Sequence, residues 1–324
     1  MRILKHILYD SSILNQGDAI FMDDIILRLE NISKSYRNNV ALRSMSVSIQ
    51  RGEIYGVVGE NGAGKSTLIR IIMGLCKPTT GTIELFGNTN PKAVNQQRAR
   101  IGYIPDVCAL YPNMTAEENL EIRCVEWGIL KKNIQEILNL VCLSDVGKKV
   151  SQYSLGMKQR LSFAIALLGN PEFLVLDEPT NGLDPMGIIE LREILVNLNR
   201  RKHTTILISS HILNELHQMA TQYMFISHGK LIECISSEKL SKKCSRHLLL
   251  QVTDIEKTIV LLEQVLHTEN YELCPNNSIR LYAYIDQPDK VSLLLNQNGV
   301  GIKQLSSEGD DLETYYMRLI RSEV

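Results

Sequence analysis

Gly59-Glu-Asn-Gly-Ala-Gly-Lys-Ser-Thr67 completes the pattern G-x-x-x-x-G-K-[ST], whose chemistry is the capture of phosphate. Its glycines let the backbone wrap closely around an anion and turn N–H groups inward. Lys65 can reach β and γ phosphates, and the Ser66 hydroxyl can ligate Mg²⁺. Gly59, Asn61, Gly62, Gly64, Lys65, Ser66 and Thr67 are therefore candidate nucleotide-binding residues. A second chemical signal is Phe173-Leu-Val-Leu-Asp177-Glu178-Pro179, two acids at the end of an apolar run. A buried carboxylate is costly unless it meets a cation. Asp177 is thus a candidate Mg²⁺ residue acting through water, and Glu178 a candidate general base for an attacking water. His211, after Ser209-Ser210, ends a third apolar run, where it could meet a γ-phosphate.

These groups need a scaffold that delivers them to one place. Ile54–Val58, Phe173–Asp177 and Thr204–Ser209 read as strands covered on both faces. They alternate with helix-like segments up to about residue 245, which implies an α/β domain with a largely parallel sheet. In such a sheet, ligands bind beyond the carboxyl ends of the strands. The phosphate loop follows Val58 directly and leads into the amphipathic run Leu68–Met73, so a helix N-terminus adds positive potential at the phosphate. A mainly helical stretch over roughly 115–169 looks inserted, and Thr115-Ala-Glu-Glu118 opens it with a capping-box pattern. Asp184 with Pro185 reads as a helix N-cap and first position.

Beyond about residue 246 the texture changes. A helix from Ile255 puts Ile255, Ile259, Leu262 and Leu266 on one face. Tyr271–Cys274 and Ile279–Ile285 flank Pro275-Asn-Asn-Ser278 as a hairpin, with Ile279, Leu281, Ala283 and Ile285 facing inward. Pro288 and Asn298-Gly299 bracket another helix. The sum is a small α+β domain without a catalytic constellation. The basic cluster Lys242–Arg246 at its start reads as a solvated linker.

Composition narrows the class further. The chain has 324 residues, 44% hydrophobic and 22% charged, which suits a full core and excludes global disorder. Lys plus Arg number 35 against 36 acids, so no overall basic field points to nucleic acid. Seven cysteines, including Cys108, never form C-x-x-C and read as free thiols in a reducing cytosol. No run approaches the ~18–20 apolar residues of a membrane span, and the N-terminus makes no convincing signal peptide.

Together these residues resemble the ATP-binding subunits of ABC transporters over roughly residues 23–235. Gly59–Thr67 corresponds to the family's Walker A motif, Asp177 and Glu178 to its Walker B acids, Asn181–Asp184 to its D-loop and His211 to its switch histidine. Tyr36 matches the aromatic on which the family stacks adenine. Tyr153-Ser-Leu-Gly-Met-Lys-Gln-Arg160 looks like the signature motif, usually L-S-G-G-Q; Ser154 and Gly156 remain, while Leu155 and Met157 depart from it. Asp106 stands where the Q-loop glutamine usually is, offering Mg²⁺ a carboxylate in place of an amide oxygen, and Val107–Pro112 would touch a membrane partner.

The resemblance implies a P-loop ABC ATPase core over 22–245 with an inserted helical subdomain at about 106–169. An accessory domain would occupy 246–324, and residues 1–21 are read as an N-terminal extension, explained by an over-long start assignment. It also implies ATP and Mg²⁺ as cofactors, and a homodimer in which each ATP lies between Lys65 of one copy and Ser154 of the other. Glu178, His211 and Lys65 would be catalytic; Asp184 would join the nucleotide contacts. A separate multi-span permease, a cytoplasmic place on the inner face of the membrane and no nucleic-acid partner complete the picture. The S-L-G-M-K-Q-R-L variant and the Tyr111–Thr115 segment resemble the bacitracin-export and lantibiotic-immunity branch, which serves antibiotic resistance. Drug-, sodium- and polysaccharide-export ATPases share much of that pattern, and a soluble ABC ATPase is a rival from another class.

Overall fold

A computed structural model describes residues 24–37, 39–107, 109–129, 134–143, 147–309 and 312–321. The extension expected at 1–21 and Cys108 lie outside the described residues. In chain order, β1 (Ile25–Tyr36), β2 (Asn39–Gln50) and β3 (Ile54–Val58) precede the phosphate loop and α1 (Lys65–Ile72). Next come β4 (Thr80–Leu85), α2 (Pro91–Gln97), β5 (Ile101–Ile104), and the helices α3 (Ala116–Trp127), α4 (Ile134–Leu140) and α5 (Leu155–Leu167). Then follow β6 (Phe173–Leu176), α6 (Pro185–Lys202), β7 (Thr205–Ser210), α7 (Leu213–His217), β8 (Gln222–Ser227), β9 (Lys230–Ser236) and α8 (Ser237–Cys244). The chain ends with β10 (His247–Val252), α9 (Ile255–Gln264), β11 (Tyr271–Cys274), β12 (Ser278–Leu281), α10 (Pro288–Gln297), β13 (Ile302–Glu308) and α11 (Leu312–Arg321).

The central sheet has the order β5-β6-β7-β3-β8-β9, parallel except for the final antiparallel pair. Every residue of β3, β6 and β7 is buried, which explains their uninterrupted apolar runs. One face carries α1 and the antiparallel sheet β2-β1-β4, closed by Leu27, Ile49, Leu68 and Ile72. The other face meets the helices between β5 and β6, through Leu120, Leu138 and Leu161, and α6 through Leu195. Truncating a fully buried leucine here, such as Leu174, would cost about 2–5 kcal/mol.

Local chemistry sets the helix starts. Thr115 and Glu118 form the reciprocal capping box on α3. Ser154 caps α5 by accepting from the Met157 N–H, and Asp184 caps α6 by accepting from the Gly187 N–H, with Pro185 at the first position. The strand read as Phe173–Asp177 stops at Leu176, because Glu178 turns the chain at φ 48°. The run read as Thr204–Ser209 is shifted by one residue, to Thr205–Ser210.

The last stretch is a βαββαβ unit with the antiparallel order β11-β12-β10-β13. α9 and α10 cover Leu248, Leu250, Ile279 and Leu281 with Leu262, Val291 and Leu295. The second hairpin arm ends at Leu281 rather than Ile285: Tyr284 takes φ 56°, and its hydroxyl donates to the Leu266 carbonyl. The Lys242–Arg246 cluster is not a plain linker. Lys243 closes α8 and sits 2.6 Å from Glu233 and 3.0 Å from the Tyr315 hydroxyl. Sequence reading had not singled out α11, which leaves the βαββαβ unit and packs on the central-sheet core through Leu312, Tyr315, Tyr316 and Leu319.

Candidate nucleotide site

The phosphate loop joins the carboxyl end of β3 to α1, between β7 and β8. Gly64 precedes α1 at φ 113°, and a Cβ there would lie 2.7 Å from Leu42 Cδ2. Only glycine fits such a turn, with its N–H groups left to face a ligand. Around it opens a cleft of about 690 Å³, lined on one side by Asn61, Gly62, Gly64, Lys65, Ser66 and Thr67. Tyr36, Asp106, Glu178 and Asn181 complete its walls. Tyr36 stands at the end of β1, 43% exposed, with Lys34 Nζ 4.9 Å from its ring centroid.

At the bottom of the cleft the charged groups interlock. Lys65 Nζ donates to the carbonyls of Gly59 at 2.6 Å and Glu60 at 3.2 Å, and lies 3.1 Å from Glu178 Oε1. The other Glu178 oxygen is 2.8 Å from His211 Nδ1. Lys65 and Glu178 are 5% and 9% exposed, so both charges are largely out of water and depend on each other. Ser66 Oγ donates to Asp177 Oδ1 at 3.1 Å.

Burial pushes the Asp177 carboxyl above its ordinary value; hydrogen bonds from Ser209 and Ser66 oppose the rise, and the charges of Asp106 and Glu178 add to it. A crowded acid beside a hydroxyl, all hard oxygen donors, suits Mg²⁺. No cluster of three or more His, Cys, Asp or Glu side chains forms a metal cage among the described residues. The fit is therefore to an ion that takes its other ligands from phosphate and water.

Ser154, Gly156 and Asp184 do not reach this cleft. They line a separate cavity of about 370 Å³ with Leu183, Gln159 and Arg160. The signature departure has a structural counterpart there. Leu155 lies over Gly182, where φ is 75° and a Cβ would collide with the Leu155 side chain.

Three residues that sequence reading did not single out tie the site together. Ser209 Oγ donates to Asp177 Oδ1 at 2.9 Å and accepts from the Glu178 N–H at 2.9 Å, so one buried hydroxyl sets both acids. Glu215 accepts from Thr180 Oγ1 at 2.7 Å and Ser210 Oγ at 3.1 Å. Gln159 Nε2 donates to the Pro179 carbonyl at 2.9 Å, joining α5 to the turn after Glu178. A serine after the apolar Ile206–Ile208 of a buried strand was the visible hint of Ser209.

Known proteins resemble this arrangement. Residues 42–181 match the sequence profile of the family described as ABC transporter. A bacitracin transport ATP-binding protein of Bacillus licheniformis is 42% identical over 297 residues, covering 91% of this chain and 97% of that protein. A lantibiotic transport ATP-binding protein of Streptococcus pyogenes is 40% identical over 230 residues, 70% of this chain and 99% of its own. Among solved structures, a dimeric ATP-binding cassette bound to ADP and Pi superposes with a TM-score of 0.59 at 26% identity, covering 65% of this chain and 98% of that one. A cassette from Clostridium perfringens, part of an ABC transporter complex, gives 0.62 at 26% identity, covering 75% and 98%.

Proposed function

The chain belongs to the ABC transporter family as an ATP-binding, ATP-hydrolysing subunit, and from that premise we propose that it powers a separate permease exporting antimicrobial peptides of the bacitracin or lantibiotic kind. The observation that carries the catalytic part is Glu178 held between Lys65 and His211 at the rim of the phosphate loop. The cargo class rests on the 42% identity to a bacitracin transport protein across nearly the whole chain.

In this reading adenine stacks on Tyr36, and the loop N–H groups with Lys65 hold the phosphates. Lys65 then exchanges its contacts with Gly59 and Glu60 for phosphate oxygens. Mg²⁺, held by Ser66 and Asp177 with Asp106 beside them, supplies charge neutralisation at the phosphates. Glu178 takes the proton of the attacking water, and His211 fixes the orientation of its carboxylate from 2.8 Å. Ser154, Gly156 and Asp184 serve the site of a second copy. Their separation from this chain's own cleft suits an isologous homodimer with ATP at each interface.

Force leaves the protein through an apolar groove of about 650 Å³ between the central sheet and the inserted helices, lined by Ile101, Tyr103, Pro105, Leu110 and Trp127. Val107 and Trp127 are 82% and 51% exposed beside it, a surface fitted to a permease segment. No described helix is long and apolar enough to cross a membrane. Membership of the ABC transporter family supports a place of work at the cytoplasmic face of a membrane, bound to multi-span partners.

The test is protection. Cells expressing the chain with its permease should tolerate more bacitracin or lantibiotic, and Glu178→Gln should abolish the gain while ATP still binds. Protection against neither peptide, with ATP turnover intact in the purified protein, would remove the cargo assignment. Normal turnover by Glu178→Gln would remove Glu178 from the role of base.

A further inference from the structure

The helix α11 follows the accessory domain in sequence yet is built into the ATP-binding core. Leu312, Tyr315, Tyr316 and Leu319 recur at helical spacing and pack on the cluster that contains Leu213, Leu216, Tyr223 and Phe225. The ring centroids of Tyr315 and Tyr316 lie 6.1 and 5.9 Å from that of Phe225. Phe225 is registered against Val58, the residue that leads into the phosphate loop. Tyr315 is clamped from the side, its hydroxyl 2.5 Å from Glu233 and 3.0 Å from Lys243.

Two contacts reach the nucleotide machinery itself. The Tyr316 ring packs on Phe225, the residue registered beside Val58, while its hydroxyl is buried without a hydrogen-bond partner among the described residues. Burial pushes this phenol up to about 12 and the nearby Glu60 charge adds to the rise, while the Glu60 backbone opposes it. On its other side, α11 meets α7, the helix two residues after His211. Asn214 Nδ2 donates to Glu313 Oε1 at 2.9 Å there. The neighbouring Glu215 holds Thr180 and Ser210, so α7 is itself tied to the turn after Glu178.

We propose that α11 is a positioning strap for the ATP site: Tyr315 and Tyr316 back the strand beside the phosphate loop and Glu313 holds the helix behind His211, so that the accessory domain sets nucleotide affinity. This rests on the assignment of Gly59–Thr67 as the nucleotide loop. Coupling of this kind is reciprocal, so nucleotide must also tighten α11. A helix that only covers apolar surface would stabilise the fold without answering to ATP.

The experiment uses the full chain and a magnesium complex of a non-hydrolysable ATP analogue. Its affinity is measured by calorimetry for wild type, Glu313→Ala and Asn214→Ala. Glu313 and Asn214 are both exposed, so folding is preserved in each arm. The dissociation constant should rise about fivefold in each variant, at the lower end of ordinary allosteric coupling, with unchanged melting temperature. In wild type, amide exchange over 312–321 should slow when the analogue binds. Dissociation constants within twofold of wild type in both variants overturn the proposal, as does α11 exchange that ignores nucleotide. Failure of wild type to bind the analogue at all would instead overturn the loop assignment.

Discussion

Replacing Ser209 by alanine probes the joint between the two acids. Its hydroxyl is fully buried, donates to Asp177 and accepts from the Glu178 N–H, each at 2.9 Å. The neutral bond is worth about 1 kcal/mol and the bond to a carboxylate about 2, so Ser209→Ala should cost about 3 kcal/mol. In a core of this size that lowers the melting transition of the ATP-binding unit by about 6–12 °C. Ser209 favours the ionised form of Asp177, whose folded pKa is already raised, so the variant raises it further. A raised carboxyl contributes stability that is fully present below its unfolded value and lost as pH rises through the folded one. The gap between variant and wild type should therefore be narrow in acid and widen as pH rises through the folded pKa of Asp177. Melting curves without nucleotide, at acid and neutral pH, measure this. In an Asp177→Asn background the same substitution should cost about 1 kcal/mol less, because the charged acceptor is gone. A Ser209→Ala penalty below 0.5 kcal/mol at neutral pH (about the size of an inert substitution), or equal penalties in both backgrounds, would refute the joint.

Lys65→Ala removes the loop's cation and the 3.1 Å partner of Glu178, and should weaken MgATP binding by about tenfold or more, read by calorimetry. Unaltered affinity would count against the loop assignment. Acid should loosen α11. Burial pushes Glu233 up, but hydrogen bonds from Lys243 and Tyr315 outweigh it and hold its carboxyl below the usual 4.5. Its contribution is present above the unfolded value and lost as pH falls through the folded one, so the protection of the amides over 312–321, relative to their intrinsic exchange rates, should fall in that acid range.

What the sequence disclosed was what neighbours in the chain decide. The phosphate loop is nine consecutive residues, the caps at Thr115 and Asp184 act within three, and β3 and β6 announce burial by composition alone. Contacts between distant residues left no such mark. Ser209 finds Asp177 across 32 positions and Glu215 finds Thr180 across 35, only because β6 and β7 lie side by side. The stripe Leu312, Tyr316, Leu319 is visible as a pattern, but nothing local says that it packs on the ATP-binding core and not on the domain it follows. Lys243 misled for the same reason: a charge run reads as solvated until Glu233 and Tyr315 are brought beside it. The hairpin arm was overextended because its alternation continues past Leu281, whereas the positive φ of Tyr284 is set by a hydrogen bond to Leu266 in another element.

The turn from Glu178 to Asp184 gives the proposed chemistry a mechanical outlet. Asn181 lines the nucleotide cleft, and Asp184, three residues on, lines the cavity that holds Ser154. A rigid link between them is required if hydrolysis at one site is to alter what a partner's nucleotide meets at the other. The turn has that rigidity from three directions: Gln159 of α5 holds the Pro179 carbonyl, Glu215 of α7 holds Thr180, and Leu155 covers Gly182. Leu155, the departure from the proposed signature motif, belongs to this linkage. A glycine there would leave the residue at 182 uncovered, so the Leu155 side chain joins the start of α5 to the segment that carries the proposed base, Glu178. On the proposed mechanism, a displacement of Glu178 from His211 would be passed along this turn to the cavity that holds Ser154.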